Sequence, residues 1–373
     1  MRSNYSGAGE MDFQTRILPG VSRTFALTIP QLPEALRHVV TNAYLLCRIA
    51  DTIEDDVGIG VSQKRFFHEM FIGLLNRQAS CADFVTSICP LLSERALPAE
   101  RELMGNVGTV IDVTLKLDET KQDILRRYVS TMCLGMPTFQ HGLKTRGLKS
   151  LEALNQYCYC VAGVVGEMLT ELFCNYSQQI KMRAVALMQL APSFGQGLQM
   201  TNILKDIWDD RENGVCWLPQ DIFAAIGYDL EQLSPKHDRT TLAQGITQLV
   251  GIAHAHLRNA LKYTLLIPHN QTGIRRFCLC SIGLAILTLR RIYENPEFVS
   301  GKQVKVSRKT VAVTTLVTSA MARRDFVLKS LFRACVRGLP LSRISSTNIH
   351  FCHQAETRPE PSVVIRTGLR CEK

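Results

Sequence analysis

Apolar residues recur at three- and four-residue intervals along most of this chain, and stretches that alternate apolar with polar are few. That period belongs to helices. The spacing predicts helices over 33–56, 62–77, 99–114, 119–135, 150–175, 179–209, 240–266 and 272–294, with Pro33 suited to the first turn of the first. Gly and Pro punctuate between them, as at Leu134-Gly135-Met136-Pro137 and Leu218-Pro219-Gln220. No longer fixed-period repeat is present. The expected fold class is therefore all-α, with one helical domain over 12–330 behind a flexible N-terminus, 1–11. From about 338 the chain turns to Pro, Ser, Thr, His and Arg, so 331–373 is expected to be a basic, disordered tail.

Composition adds bounds. At 373 residues and 46% hydrophobic, the chain has enough apolar material for a large core. No apolar run of eighteen residues free of charge or strong polarity stands out, so no membrane-spanning helix is expected. The N-terminus has no apolar segment of the kind that begins a secretory signal. The 13 cysteines are scattered, and Cys158/Cys160 and Cys278/Cys280 are CxC pairs rather than zinc-type spacings. Reduced, buried thiols in a cytoplasmic protein are expected. The net charge of +10 resides in the C-terminal fifth, where Lys302–Lys373 hold 14 Lys/Arg against 4 Asp/Glu. Such a segment suits an anionic surface, lipid or nucleic acid, or simply water. Phe351 is the one aromatic after residue 340, which serves base stacking poorly, so no nucleic-acid partner is expected.

Two acidic clusters carry the candidate chemistry. In Asp51-Thr52-Ile53-Glu54-Asp55-Asp56, Asp51 and Asp55 stand at i and i+4 on a helix, with Tyr44 and Arg48 on the same face. In Asp206-Ile207-Trp208-Asp209-Asp210 the spacing repeats, and Asn202 extends the face one turn back. Carboxylates one turn apart repel by a few tenths of a kcal/mol on a bare helix. A single such motif fits a solvated acidic face. Two, each at the end of an otherwise apolar helix, call for compensating partners. Magnesium is apt, since it bridges one or two carboxylates to substrate phosphates. Two facing helices of this kind would clamp a diphosphate and stabilise its departure.

Further motifs stand in register with these: Ser22-Arg23-Thr24-Phe25-Ala26, then Tyr157-Cys158-Tyr159-Cys160-Val161-Ala162-Gly163-Val164-Val165-Gly166, then Gln199-Met200-Thr201-Asn202 leading into the second cluster, closed by Trp217-Leu218-Pro219-Gln220. In this order and spacing the chain resembles the squalene and phytoene synthase family over roughly residues 12–310. The resemblance implies an isoprenoid-synthase helical fold around a central apolar cavity. It implies Mg2+ (or Mn2+) on Asp51, Asp55, Asp206 and Asp210 with Asn202 assisting. Ser22, Arg23, Tyr44, Arg48, Gln199 and Lys205 would contact prenyl diphosphate, and Tyr157 would stand near the reacting carbons. Gly163 and Gly166 fit close helix packing or room for a prenyl chain.

Within the family, Val304-Lys305-Val306-Ser307-Arg308-Lys309 resembles the segment of squalene synthases near the nicotinamide dinucleotide. Lys305, Arg308 and Lys309 would then meet NADPH phosphates; no GxGxxG follows a strand. The implied reaction joins two farnesyl diphosphates head to head, through presqualene diphosphate, to squalene. Dehydrosqualene or phytoene synthesis without reductant, a terpene cyclase and a non-catalytic assembly-factor relative are the alternatives. Two departures from the family pattern concern the diphosphate contacts. Lys205 stands where Arg is usual and loses the bidentate fork. Gly214-Val215-Cys216-Trp217 lacks a basic residue that Arg211 would have to replace. A monomer is expected, cytoplasmic or peripheral to the inner face of a membrane.

Overall fold

A computed structural model describes residues 5–22, 24–139 and 146–344, with side chains from residue 12 onward. The principal helices are α1 (Tyr5–Val21), α2 (Glu34–Asp55), α3 (Val61–Leu75), α4 (Pro98–Gly105), α5 (Val107–Leu115), α6 (Glu119–Gly135), α7 (Leu151–Tyr176), α8 (Ala184–Glu212), α9 (Arg239–Leu266), α10 (Thr272–Glu294), α11 (Arg308–Met321) and α12 (Asp325–Cys335). Among the described residues there is no strand, only one isolated bridge between Leu148 and Pro219. The chain is all-α, as the periodicity requires.

α2 shows how local sequence sets this architecture. Glu34 stands in its first turn behind Pro33. Leu36, Val39, Val40, Ala43, Leu46, Ile49, Ala50 and Ile53 are all buried, at the three-and-four spacing of a core-facing stripe. α8 lies at the centre, packed along α9, α7 and α10. Small residues allow that crowding. A Cβ on Gly195 of α8 would stand 1.9 Å from the Ala162 carbonyl oxygen, and one on Gly166 of α7 would stand 2.2 Å from that of Ala191. The two backbones meet there with no room for side chains. Within α7 a π-helical turn spans Tyr159–Gly163, at the contact with Gly195.

Several expectations are corrected. The helix predicted over 99–114 breaks at Asn106, whose φ of −116° and ψ of 27° leave the helical region. Residues 5–11, expected to be flexible, form the first turns of α1. The expected tail boundary at 331 falls inside α12. Ordered chain continues past it because Arg290 donates to the carbonyls of Cys335 (2.9 Å) and Arg337 (2.6 Å), and Ser342 N–H donates to Gly251 (3.1 Å). α7 and α10 are, contrary to expectation, long and apolar enough to cross a membrane by length and composition. Half and 61% of their apolar windows are buried against other helices, which core helices also satisfy. The part of the tail from 345 lies outside the described residues.

Candidate active site

The first cluster ends α2. Asp51 is half-buried and Asp55 open to solvent, yet both carboxyls are hemmed in by protein. Burial pushes Asp51 up to about 7, with Arg48 opposing and Asp55 and Glu54 adding to the rise. Asp55 rises to about 6, again chiefly by burial, against Arg48 and with Glu54. Arg48 itself is claimed by Glu100 of α4 through a short ion pair. Burial alone would depress its guanidinium, but Asp51 and Glu100 outweigh that and hold it protonated. Glu100 also accepts from Leu97 N–H (2.9 Å), so the pair ties the start of α4 to the site. Behind the cluster, buried Glu54 meets His68 Nε2 of α3 at 3.3 Å, and Lys64 Nζ donates to the Glu54 carbonyl.

The second cluster lies near the end of α8. Lys205 folds back on its own helix, meeting Asp206 at 3.1 Å and donating to Asn202 Oδ1 at 3.3 Å. Asp206 is raised by burial, which the Lys205 charge offsets in part. Asp210 is pushed up to about 8, first by burial, then by Asp206, Asp55 and Asp209. Asp55 of α2 thus lies near enough to Asp210 of α8 for its charge to be felt there. Tyr157 joins them. Its phenol is driven well above its usual range, chiefly by burial and then by the charge of Asp55. Its ring stacks on Trp217 with centroids 3.9 Å apart and planes 12° apart, and Phe139 meets it edge-on at 5.7 Å.

The other expected residues fall as follows. Tyr44 OH donates to the Val21 carbonyl at 3.1 Å, and its pKa rises to about 12 through burial, against a hydrogen bond with Ser22. Ser22 Oγ accepts from Phe25 N–H at 3.0 Å, closing the turn into the next helix. Arg23 lies outside the described residues. Gln199 is half-buried on α8, one turn before Asn202. Lys305 is near enough that its charge lowers the pKa of Asp206. Arg308 and Lys309 are exposed at the start of α11, behind the N-cap Ser307. Arg211 donates to the Glu231 carbonyl at 2.6 Å.

Glu100, Phe139 and the stacking of Trp217 escaped the sequence reading. Glu100 had one signal: a buried arginine needs a counter-charge, though nothing in sequence says which acid supplies it. Among the described residues no three His, Cys, Asp or Glu side chains converge as a ready-made cation cage. Beside Asp210, Ile203, Ile207, Cys216, Trp217, Leu218 and Leu233 line a shallow apolar crevice. The side chains close on one another there and leave no room for a water molecule, with the Trp217 ring as part of the wall, so the central apolar cavity expected from the resemblance is not open at this place.

Comparison with known proteins agrees with this fold. A family model described as squalene/phytoene synthase matches residues 18–310. The chain is 29% identical over 319 residues to the Botryococcus squalene synthase of Botryococcus braunii, covering 83% of this chain and 63% of that protein. It is 30% identical over 310 residues to squalene synthase ERG9 of Saccharomyces cerevisiae, covering 79% and 64%. The chain thus spans somewhat under two thirds of the length of these relatives. The fold superposes on TcSQS solved with the ligand BPH1237 at a TM-score of 0.72, with 23% identity over 91% of this chain and 95% of that one. A dehydrosqualene synthase superposes at 0.59, with 20% identity over 87% and 98%. With that match over most of its length, the chain belongs to the squalene/phytoene synthase family.

Proposed function

We propose that the chain is a prenyltransferase that joins two farnesyl diphosphates head to head, through presqualene diphosphate, to squalene. One observation carries the reading: the squalene/phytoene synthase match spans 18–310 and includes both helix ends that bear i, i+4 carboxyls, Asp51 and Asp55 on α2 and Asp206 and Asp210 on α8. A pair of carboxyls one turn apart on each helix favours a divalent cation that bound diphosphate would complete. Magnesium or manganese suits their hard oxygen donors, and magnesium sites are commonly completed by substrate phosphate rather than by a protein cage. Asp51, Asp55, Asp206 and Asp210, with Asn202, would hold it, and it would supply charge stabilisation to the departing diphosphate.

The chain's own residues do the rest. Arg48, oriented by Glu100, Tyr44 and Ser22, together with Arg23, Gln199 and Lys205, orient the diphosphates. C1 of one farnesyl group leaves its diphosphate, bonds to C2 and C3 of the other, and gives up a proton to the released diphosphate, which closes a cyclopropane. Loss of the second diphosphate, rearrangement and hydride capture complete squalene. Tyr157 is protonated at neutral pH, so its ring and O–H steady positive charge rather than serve as a resting base. Trp217 and the apolar wall around it keep out water that would trap a cation. NADPH would supply the hydride, its phosphates met by Lys305, Arg308 and Lys309. A monomer working at the cytoplasmic face of a membrane suits apolar substrates and product.

The test is a product assay with farnesyl diphosphate and Mg2+, with and without NADPH, read by mass spectrometry. Squalene only with NADPH supports the whole reading. Presqualene diphosphate or dehydrosqualene in both removes the reductive step. Phytoene from geranylgeranyl diphosphate alone changes the substrate, and silence with both overturns the catalytic reading. Asp51→Asn and Asp206→Asn should each lose nearly all turnover with helical circular dichroism unchanged.

A further inference from the structure

The C-terminal helix pair presents its polarity inside out. α11 turns Thr315 toward α10, its hydroxyl 3.4 Å from Cys280 Sγ. Thr314, Thr315 and Thr318 satisfy their hydroxyls on carbonyls one turn back, so polar side chains line a helix contact without orphaned groups. The outward stripe is Ala312, Val313, Leu316, Val317 and Ala320, all exposed, Leu316 by 70%. No residue of α11 is buried. A surface helix ordinarily shows the reverse order.

α12 supplies the charge. Phe326, Lys329 and Arg333 are all exposed, and their spacing of three and four residues sets them on one outward face, Phe326 being 80% exposed, with Arg337 exposed just past the helix end. Arg323 and Arg324 are exposed in the turn between the helices. The one acid of the pair, Asp325, is engaged by the fully buried Arg275 of α10. Arg275 also donates to the Ala322 carbonyl (2.6 Å), and Arg290 holds the far end at Cys335 and Arg337. The pair is therefore a fixed platform, apolar along α11 and cationic along α12.

We propose that this helix pair docks the protein on a bilayer with anionic headgroups, α11 entering the interface and the α12 cations meeting the lipid charge. A second copy is the poorer occupant, because it would set two cationic faces against each other. Nucleic acid would leave the apolar stripe of α11 unused. The surface stands independently of the reaction proposed above.

The experiment is co-sedimentation of the full chain with vesicles of phosphatidylcholine alone or mixed with phosphatidylserine. The mixed vesicles should bind at least about tenfold more protein, and high salt should erase the difference. The double variant Leu316→Asp with Phe326→Asp should lose at least about tenfold in partitioning. Its melting temperature and its turnover of detergent-dispersed substrate should stay unchanged, since neither residue belongs to the site. Wild type that ignores both vesicles overturns the proposal, as does a double variant that binds like wild type. A dimer that Leu316→Asp dissolves while vesicle binding persists would assign the face to self-association instead. Failure of wild-type turnover with vesicle binding intact would count against the proposed reaction alone.

Discussion

Asp210→Asn should stabilise the metal-free protein while it removes function. In the unfolded chain Asp210 ionises near 3.8, but in the folded site its carboxyl rises to about 8, chiefly by burial and then through Asp206, Asp55 and Asp209. The folded state therefore binds the extra proton between those values, and stability falls as pH climbs through that window. At pH 7 the gap corresponds to ~4 kcal/mol at about 1.4 kcal/mol per unit. The side chain is half-buried, and solvent screening brings the expected gain from asparagine to about 1–2 kcal/mol. For a chain of this length that is about 2–3 °C in melting temperature. The assay is thermal denaturation at pH 7 in chelator, repeated with Mg2+ and pyrophosphate, and again near pH 4. Asparagine should melt higher in chelator, lose its advantage with the ligands because it gives up one metal oxygen charge, and match wild type near pH 4. A lower melting point in chelator would refute the view that the facing carboxyls strain the empty fold.

Three further outcomes follow from the packing. Burial lowers buried His256, which lies 2.8 Å from Ser193 Oγ, from its ordinary 6.5 to about 4. The stability tied to its neutral form is full above pH 6.5 and lost as pH falls toward 4, worth about 3 kcal/mol; His256→Gln should flatten that part of the urea-midpoint profile, and an unaltered profile would contradict it. Trp217→Ala removes the ring stacked on Tyr157, so water should reach the cation and mass analysis should show alcohols in place of some hydrocarbon; an unchanged product ratio would remove Trp217 from the barrier. Gly195→Ala puts a methyl 1.9 Å from the Ala162 carbonyl oxygen, which should cost about 3 kcal/mol or more as an overpacked core; a denaturation midpoint equal to wild type would show that the π-turn yields freely.

Helical periodicity made most of the long helices legible, and the i, i+4 aspartates marked the candidate site. What escaped the sequence has specific causes. Asn106 ends one helix and begins the next through a backbone angle that the apolar pattern does not encode. α11 and α12 were missed because the threonine face of α11 is the packed one, so the apolar stripe points the wrong way for a core reading. Glu100 reaches Arg48 across 52 residues of chain, and no local spacing announces such a pairing. The closed crevice beside Asp210, too, depends on where the Trp217 ring rests; free space is a property of the packed side chains, not of their order.

Both aspartate clusters sit at the C-terminal ends of their helices, Asp51–Asp55 closing α2 and Asp206–Asp210 within the final turns of α8. A helix C-terminus carries the negative pole of the peptide dipoles, about half an elementary charge. α2 has no basic residue in its last turn to cancel it. The backbone of α2 therefore adds its own negative potential to that of the side chains, whereas α8 carries Arg211 in its last turn. Cations should still gather there when one carboxylate is removed, so single substitutions ought to weaken metal affinity in steps rather than abolish it. The same potential would favour carbocation formation between the helix ends, a contribution that no amino-acid replacement can delete.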